Sequence, residues 1–296
     1  MITKDSPVQL NLFVAKAKPF LKWAGGKSQL LEQMDPFFPK ALKEGKIRRY
    51  IEPFVGGGAV FFHLWNTDRL PKDIYLFDNN KELINTYKVV RNNIEALIVL
   101  LSFHEQRHSR EYYYRIRGLD RQPGLLLSDV EIAARTIYLN RTCYNGLHRV
   151  NSNGQFNVPM GSYKNPKILH KEVLLAASAA LQGVVIEVWD FQTVLDIAGP
   201  NDFIYFDPPY DPVSKTASFT SYTAGNFRDE DQHRLAEVYA ELSNRGCFCM
   251  LSNSHTHFIL DLYRDFRINI VQAARAINSD PNGRGAIDEV LVLNYE

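Results

Sequence analysis

Asp207-Pro208-Pro209-Tyr210 sets one carboxylate, the carbonyls of two prolines and one aromatic ring in four consecutive positions. Such a group can accept the hydrogens of an exocyclic amine in its plane and stack on the ring that bears it. The residues before it, Asn201-Asp202-Phe203-Ile204-Tyr205-Phe206, are a polar pair and then four apolar side chains, the pattern of a buried strand. Two successive prolines lack a backbone N–H and have a fixed φ, so the ladder must stop at Asp207. The expected product is a stiff bend at the carboxyl end of a strand, the edge where ligands bind in open α/β sheets. A proline bend that only ends a strand would read the same way, so the rest of the chain has to decide.

Residues Tyr50-Ile51-Glu52-Pro53-Phe54-Val55-Gly56-Gly57-Gly58-Ala59-Val60-Phe61-Phe62 read as strand, glycine turn and helix. Gly56 and Gly58 let the backbone come close to a ligand. The dinucleotide fingerprint would put its third glycine at position 61, where Phe61 stands. That disfavours a pyrophosphate and leaves room for a nucleoside-type ligand. A second buried run, Ile74–Phe77, ends at Asp78, whose carboxylate could accept from two ribose hydroxyls or merely cap the next helix. In Phe20–Ser28 the Gly26-Lys27-Ser28 ending is no phosphate loop, because Leu21 occupies the place of its first glycine. Trp23 could pack on a ligand and Lys27 could bind a carboxylate, although a core Trp and a surface Lys would look alike here. Asp190-Phe191 closes a predicted strand over Val184–Trp189 and could hold an adenine amine and face.

The elements that position these residues alternate strand and helix except in one stretch. A helix is predicted from Lys81 to about Leu101. Residues 101–170 then break the alternation and carry ten Lys/Arg against five Asp/Glu, in a chain whose net charge is only +1. A basic segment on a slightly acidic body suggests a polyanion site, or a solvated face of mixed charge. Ser128 with Glu131 forms a capping box that starts a helix running to about Arg141. Asn153-Gly154 is a hairpin turn signal, and the arms around it hold Asn145, Leu147, Arg149, Asn151, Asn157, Pro159 and then Tyr163. A two-stranded ribbon tipped with Arg and Asn can enter a major groove, and a surface hairpin of no special role is the alternative. Further on, a helix is expected over 171–182, another capped by Asp229 with Gln232 as its third residue, and a strand over Cys247–Leu251. Ile268–Ala274 should pair with Ile287–Tyr295 as an antiparallel hairpin.

Composition narrows the class. Hydrophobic residues make up 45% of 296 residues, enough for a sizeable core, and no apolar run approaches a membrane span. Three cysteines without a CxxC pair, and His255 and His257 without further ligands, speak against a disulfide framework and a metal site. The expectation is a reduced, cytoplasmic protein. Near the start, Gln9-Leu10-Asn11-Leu12-Phe13 resembles the short peptide by which bacterial DNA-processing proteins dock on the replication sliding clamp; a tail folded on its own core is the alternative.

Taken together the blocks resemble an adenine-specific DNA methyltransferase of the Dam type. Phe20–Lys27, Glu52–Phe62, Asp78-Asn79 and Asp207–Tyr210 carry the likeness in that family's order. Tyr144–Lys164 resembles its target-recognition hairpin, and Arg275–Ser279, Arg284-Gly285 and Asp288–Leu291 its closing strands. The resemblance implies an α/β, Rossmann-like sheet at 18–100 and 171–296, an inserted, mainly helical target-recognition domain at 101–170, and a tail at 1–17. It implies S-adenosylmethionine held by Trp23, Lys27, Gly56, Gly58, Asp78 and Asp207, with Lys27 on the methionine carboxylate. It implies double-stranded DNA read at a short palindrome such as GATC, Arg149 on guanine and Tyr163 wedged at the step. It implies catalysis by Asp207, Pro208 and Tyr210 and a nucleoid-associated protein, and it leaves a cognate restriction endonuclease open as a further partner. A cytosine-N4 methyltransferase and a DNA-binding regulator that has lost catalysis stay open as alternatives.

Overall fold

The computed structural model describes residues 15–23, 25–213, 227–274 and 286–296. The Gln9–Phe13 peptide, Arg275–Ser279 and Arg284-Gly285 lie outside the described residues. Single turns α1 (Leu31–Met34) and α2 (Lys40–Lys43) precede β1 (Arg49–Glu52), α3 (Ala59–Asn66), β2 (Asp73–Asp78) and α4 (Lys81–Asn92). Three helices follow without a strand: α5 (Ile94–Gln106), α6 (Arg110–Arg117) and α7 (Asp129–Thr142). Next come α8 (Lys171–Ala180), β3 (Val185–Val188), α9 (Val194–Ile197) and β4 (Phe203–Phe206). The chain closes with α10 (Asp229–Asn244), β5 (Phe248–Ser254), α11 (His257–Leu262), β6 (Arg267–Ala274) and β7 (Ala286–Leu293).

The strands form one seven-stranded sheet in the order β3-β2-β1-β4-β5-β7-β6. All neighbours from β3 through β5 are parallel, and β7 runs antiparallel to both β5 and β6. This is the expected Rossmann-like arrangement. Strand side chains alternate between two cores, as a pleat requires. Tyr50, Leu76, Phe203, Tyr205 and Met250 join the core under α3, α4 and α8. Ile51, Phe77, Ile204, Phe206 and Leu251 join the core under α10 and α11. The order reverses between β1 and β4, so their carboxyl ends open a crevice there.

Two expected helix boundaries need correction. The helix expected over Lys81–Leu101 is two helices, broken at Asn93, which leaves helical geometry at φ −132°, ψ 36°. The residue before α10 is Arg228, whose N–H donates to the Asp231 carboxylate at 2.9 Å; Asp229 lies inside the helix. The capping box at Ser128 and Glu131 is present, with the Ser128 N–H donating to Glu131 Oε2 at 2.9 Å.

The helical segment is not packed as a separate body. Tyr113, Ile116, Ala134, Ile137 and Tyr138 lie in the same core as Leu83, Tyr87 and Val90 of α4 and Tyr50 of β1. Arg135, buried on α7, pins the segment: it pairs with Asp120 at 2.6 Å, lies 3.7 Å from Glu82, and donates to the Ile116 and Arg117 carbonyls. Arg135→Ala takes from Asp120 its nearer cation, leaving Arg121 at 3.6 Å, and takes from the Ile116 and Arg117 carbonyls their buried donor, so it should cost about 3 kcal/mol. Chemical denaturation checks this. A loss no larger than the ~1 kcal/mol of a surface pair would mean that Arg135 is not the pin.

Candidate functional site

The glycine turn after β1 is built from both sides. Gly58 begins α3 at φ +68°, and a Cβ there would lie 2.7 Å from Tyr87 Oη. Gly56, at φ +46°, has Trp23 over it, where a Cβ would meet Trp23 Cδ1 at 2.9 Å. Only glycine meets both demands. The Tyr87 hydroxyl donates to the Gly56 carbonyl at 3.1 Å and props the turn from below. Asp78, at the tip of β2, accepts from the Gly56 N–H at 3.3 Å and the Asn80 N–H at 2.9 Å. The cap of α4 is Asn80, whose side chain accepts from the Leu83 N–H, so Asp78 is not spent on that task. Burial pushes the Asp78 carboxyl up to about 6, although its backbone donors pull the other way.

Facing this turn stands the Asp207–Tyr210 bend at the end of β4. Lys27 is buried and reaches across 180 residues of chain to Asp207 Oδ1 at 2.7 Å, while also donating to the Gly25 carbonyl at 2.5 Å. The Ser252 hydroxyl adds a second donor to Asp207 Oδ1 at 3.2 Å. Burial raises the Asp207 carboxyl above its ordinary range, and Lys27 opposes that shift. Lys27 Nζ also lies 4.7 Å from the centre of the Tyr210 ring, and the Tyr210 hydroxyl donates to Glu289 Oε2 at 2.8 Å. The bend is held from behind by buried amides. Gln232 donates to the Pro209 carbonyl at 3.0 Å and accepts from Asn253 at 3.1 Å. Among the described residues the Pro208 carbonyl has no donor.

Glycine turn and bend line one cleft of about 1460 Å³, together with Trp23, Lys27 and Asp78. Small-molecule pockets usually span about 300–1,000 Å³, so this one has room for a nucleoside-sized ligand and a second planar group. Sequence reasoning passed over several of its walls. Glu52, Phe54, His148, Tyr205, Phe227 and Glu289 all line it. Glu52 accepts from the Tyr50 hydroxyl at 2.7 Å, and burial pushes its carboxyl up to about 8, so it holds its proton at neutral pH. Its place at the end of a buried strand, beside a glycine turn, was the one available signal.

Asp190 and Phe191 follow β3, as expected. Phe191 is buried behind the cleft wall, stacked on Phe54 at 5.5 Å and packed on Phe227 at 5.8 Å, with Arg234 over its other side. Asp190 caps the following turn through the Gln192 N–H. Neither lines the cleft, whereas Phe54 and Phe227 do.

The ribbon around Asn153-Gly154 is short. Val150 and Phe156 make a single bridge, with further bonds from the Asn151 N–H to the Gln155 carbonyl and from the Asn157 N–H to the Arg149 carbonyl. Asn151 Oδ1 is occupied inside the loop, accepting from the Asn153 and Gln155 N–H groups. Arg149 is exposed and its Nε donates to Asn157 Oδ1 at 2.7 Å, so the two expected base readers hold each other. Asn145 forms a turn at φ +54°, a conformation Asn tolerates. Leu147 packs on the core, whereas Pro159 and Tyr163 are exposed. His148, Val150 and Gly154 bring this segment to the rim of the same cleft.

A family model described as D12 class N6 adenine-specific DNA methyltransferase matches residues 23–277. The type II methyltransferase M.MjaIII of Methanocaldococcus jannaschii is 46% identical over 95% of this chain and 100% of its own. The type II methyltransferase M1.LlaDCHI of Lactococcus lactis is 44% identical over 94% of this chain and 95% of its own. The DNA adenine methylase of Vibrio cholerae is 36% identical over 94% of this chain and 96% of its own. Among the described residues, no helix is long and apolar enough to cross a membrane.

Proposed function

Because the chain belongs to the D12 class of N6 adenine-specific DNA methyltransferases, we propose that it methylates N6 of an adenine swung out of duplex DNA, with S-adenosylmethionine as donor. The single observation that carries this reading is the shared cleft. It brings the glycine turn and Asp78 opposite the Asp207–Tyr210 bend, with the basic segment's hairpin at its rim. The fit to the donor rests on the turn that excludes any Cβ, the carboxylate of Asp78, and the ammonium of Lys27.

S-adenosylmethionine, when bound, supplies a methyl group on a sulfonium. The residues of the chain do the rest. An amine lone pair in adenine is delocalised into the ring. Asp207 Oδ2, which neither Lys27 nor Ser252 touches, and the Pro208 carbonyl accept the two amine hydrogens and turn the lone pair outward. Both acceptors strengthen as positive charge develops on nitrogen, which favours the transition state over the ground state. Lys27 covers one face of Tyr210 and leaves the other for the base. A base inside a duplex cannot reach this bend and must be extruded, at a cost of a few kcal/mol. Segment 101–170 acts as the target-reading unit, at a short palindrome such as GATC. Relatives named type II methyltransferases support a setting with a partner endonuclease.

The test is sequencing, with detection of methylated bases, of plasmid from cells expressing the chain. The expected result is N6-methyladenine at every copy of one short site. Unmodified plasmid, or N4-methylcytosine in its place, would defeat the reading. Arg149 must leave Asn157 to reach a base, so Arg149→Ala should relax discrimination at one guanine by about 1–3 kcal/mol. Competition between duplexes altered at single positions measures this, and an unchanged preference removes Arg149 from readout. Ribose binding needs the Asp78 carboxylate ionised. Donor affinity should therefore fall as the pH is lowered through about 6. Calorimetric titration across that range checks it; flat affinity would take Asp78 off the ribose.

A further inference from the structure

The segment that carries the hairpin is bolted to the loop that carries Trp23 and Lys27. Asn140, buried near the end of α7, accepts from the Lys22 N–H at 2.8 Å. It donates to the Lys22 carbonyl at 2.7 Å and to the Gly146 carbonyl at 3.0 Å. Arg141 donates to the Phe20 carbonyl at 2.7 Å. Gly146 lies so close to this loop that a Cβ would stand 2.5 Å from Lys22 Cδ. One step along, His148 stacks on Trp23 with ring centres 5.2 Å apart and planes at 29°.

Those contacts join two ends of the cleft. Trp23 covers Gly56, and Lys27, four residues on, holds Asp207. In the other direction, His148 and Val150 lead into the hairpin. Beneath the Trp23–His148 pair lies a void of about 10 Å³, lined also by Asn140 and Phe156. It is at the lower limit for a water molecule and gives the rings slack to shift.

We propose that Asn140 and His148 are positioning residues that make the duplex and the methyl donor bind cooperatively. A duplex seated on the hairpin moves His148 against Trp23 and the 144–146 turn against Asn140. Both movements are delivered to the Lys22–Lys27 loop, and so to the donor side of the cleft. The inference rests on the reading of the cleft given above. By linkage, the donor tightens the duplex by the same factor.

The experiment titrates the full chain with S-adenosylhomocysteine, which has no methyl group to transfer, with and without a saturating duplex bearing the methylated site. In the unaltered protein the duplex should raise affinity by about 5- to 150-fold. Asn140→Ala and His148→Ala should bring that ratio to within about twofold of one, the usual scatter between uncoupled sites. His148→Phe keeps a stacked ring and should retain the gain. Thermal melting establishes that each variant is folded, and should Asn140→Ala not fold, the two His148 variants decide. A ratio of one in the unaltered protein, or the full gain in the folded alanine variants, overturns the proposal. Failure of the unaltered protein to bind S-adenosylhomocysteine both with and without DNA overturns the assignment of the cleft itself, a distinguishable result.

Discussion

Asp207→Asn is expected to lower the single-turnover methylation rate by about 10²–10³, by analogy with losing one preorganised partner of a developing charge. The substitution keeps the shape of the side chain and an oxygen for Lys27 and Ser252, which now hold Asp207 Oδ1 at 2.7 and 3.2 Å. Lys27 also keeps its Gly25 carbonyl as a hydrogen-bond acceptor, although its counter-charge is lost. What disappears is a negative charge facing the amine as that amine turns cationic. The melting temperature should fall, because buried Lys27 loses its counter-charge, so the rate is read below that melting point and at saturating donor. Single-turnover transfer of a labelled methyl group gives the rate directly. A variant within about threefold of the unaltered rate, far short of one lost partner, would show that the bend does not grip the amine.

Tyr210→Ala should lose most turnover on duplex DNA while binding the donor normally. Stacking of a base on an aromatic ring contributes roughly 1–3 kcal/mol. At tenfold per 1.36 kcal/mol that is about 5- to 150-fold. The loss should shrink on a duplex whose target adenine faces a mismatch, because such a base is already easier to extrude. Tyr210→Phe keeps the ring and gives up the hydroxyl, with its 2.8 Å bond to Glu289 and its contacts with Asp207 and Ser252, so it should retain most activity. Equal losses on matched and mismatched duplexes would assign Tyr210 to holding the bend through Glu289 instead of to receiving the base.

Strands β1, β2 and β4 were legible because each is a short, mostly apolar run closed by an acidic residue at the sheet edge: Glu52, Asp78 and Asp207. The Ser128–Glu131 box was legible because capping is local. The break at Asn93 was not, since no proline or glycine marks the joint. Gln232 looked like part of a helix start, but tertiary structure uses its amide to tie Pro209 to Asn253. The contact between Lys27 and Asp207 joins residues 180 positions apart, and no periodicity announces such a pair. Phe191 shows the converse: an aromatic at a strand tip looks available in one dimension, and Phe54 and Phe227 cover it in three.

The continuous core under α4 and α7 has a practical consequence for redesign. Ile137 and Tyr138 of α7 share one core with Leu83 and Tyr87 of α4, and Tyr113 packs on Tyr138, so residues 101–170 cannot be lifted out as a cassette and exchanged between relatives without emptying the neighbouring helix's packing. The portion that can be retailored is smaller. It is the rim from Arg149 to Asn157 apart from buried Phe156, held to the body by Asp120, Arg117 and Arg121 through the backbone of Phe156 and Val158. New site preferences in this scaffold should come from grafting that rim alone, with those three anchors retained.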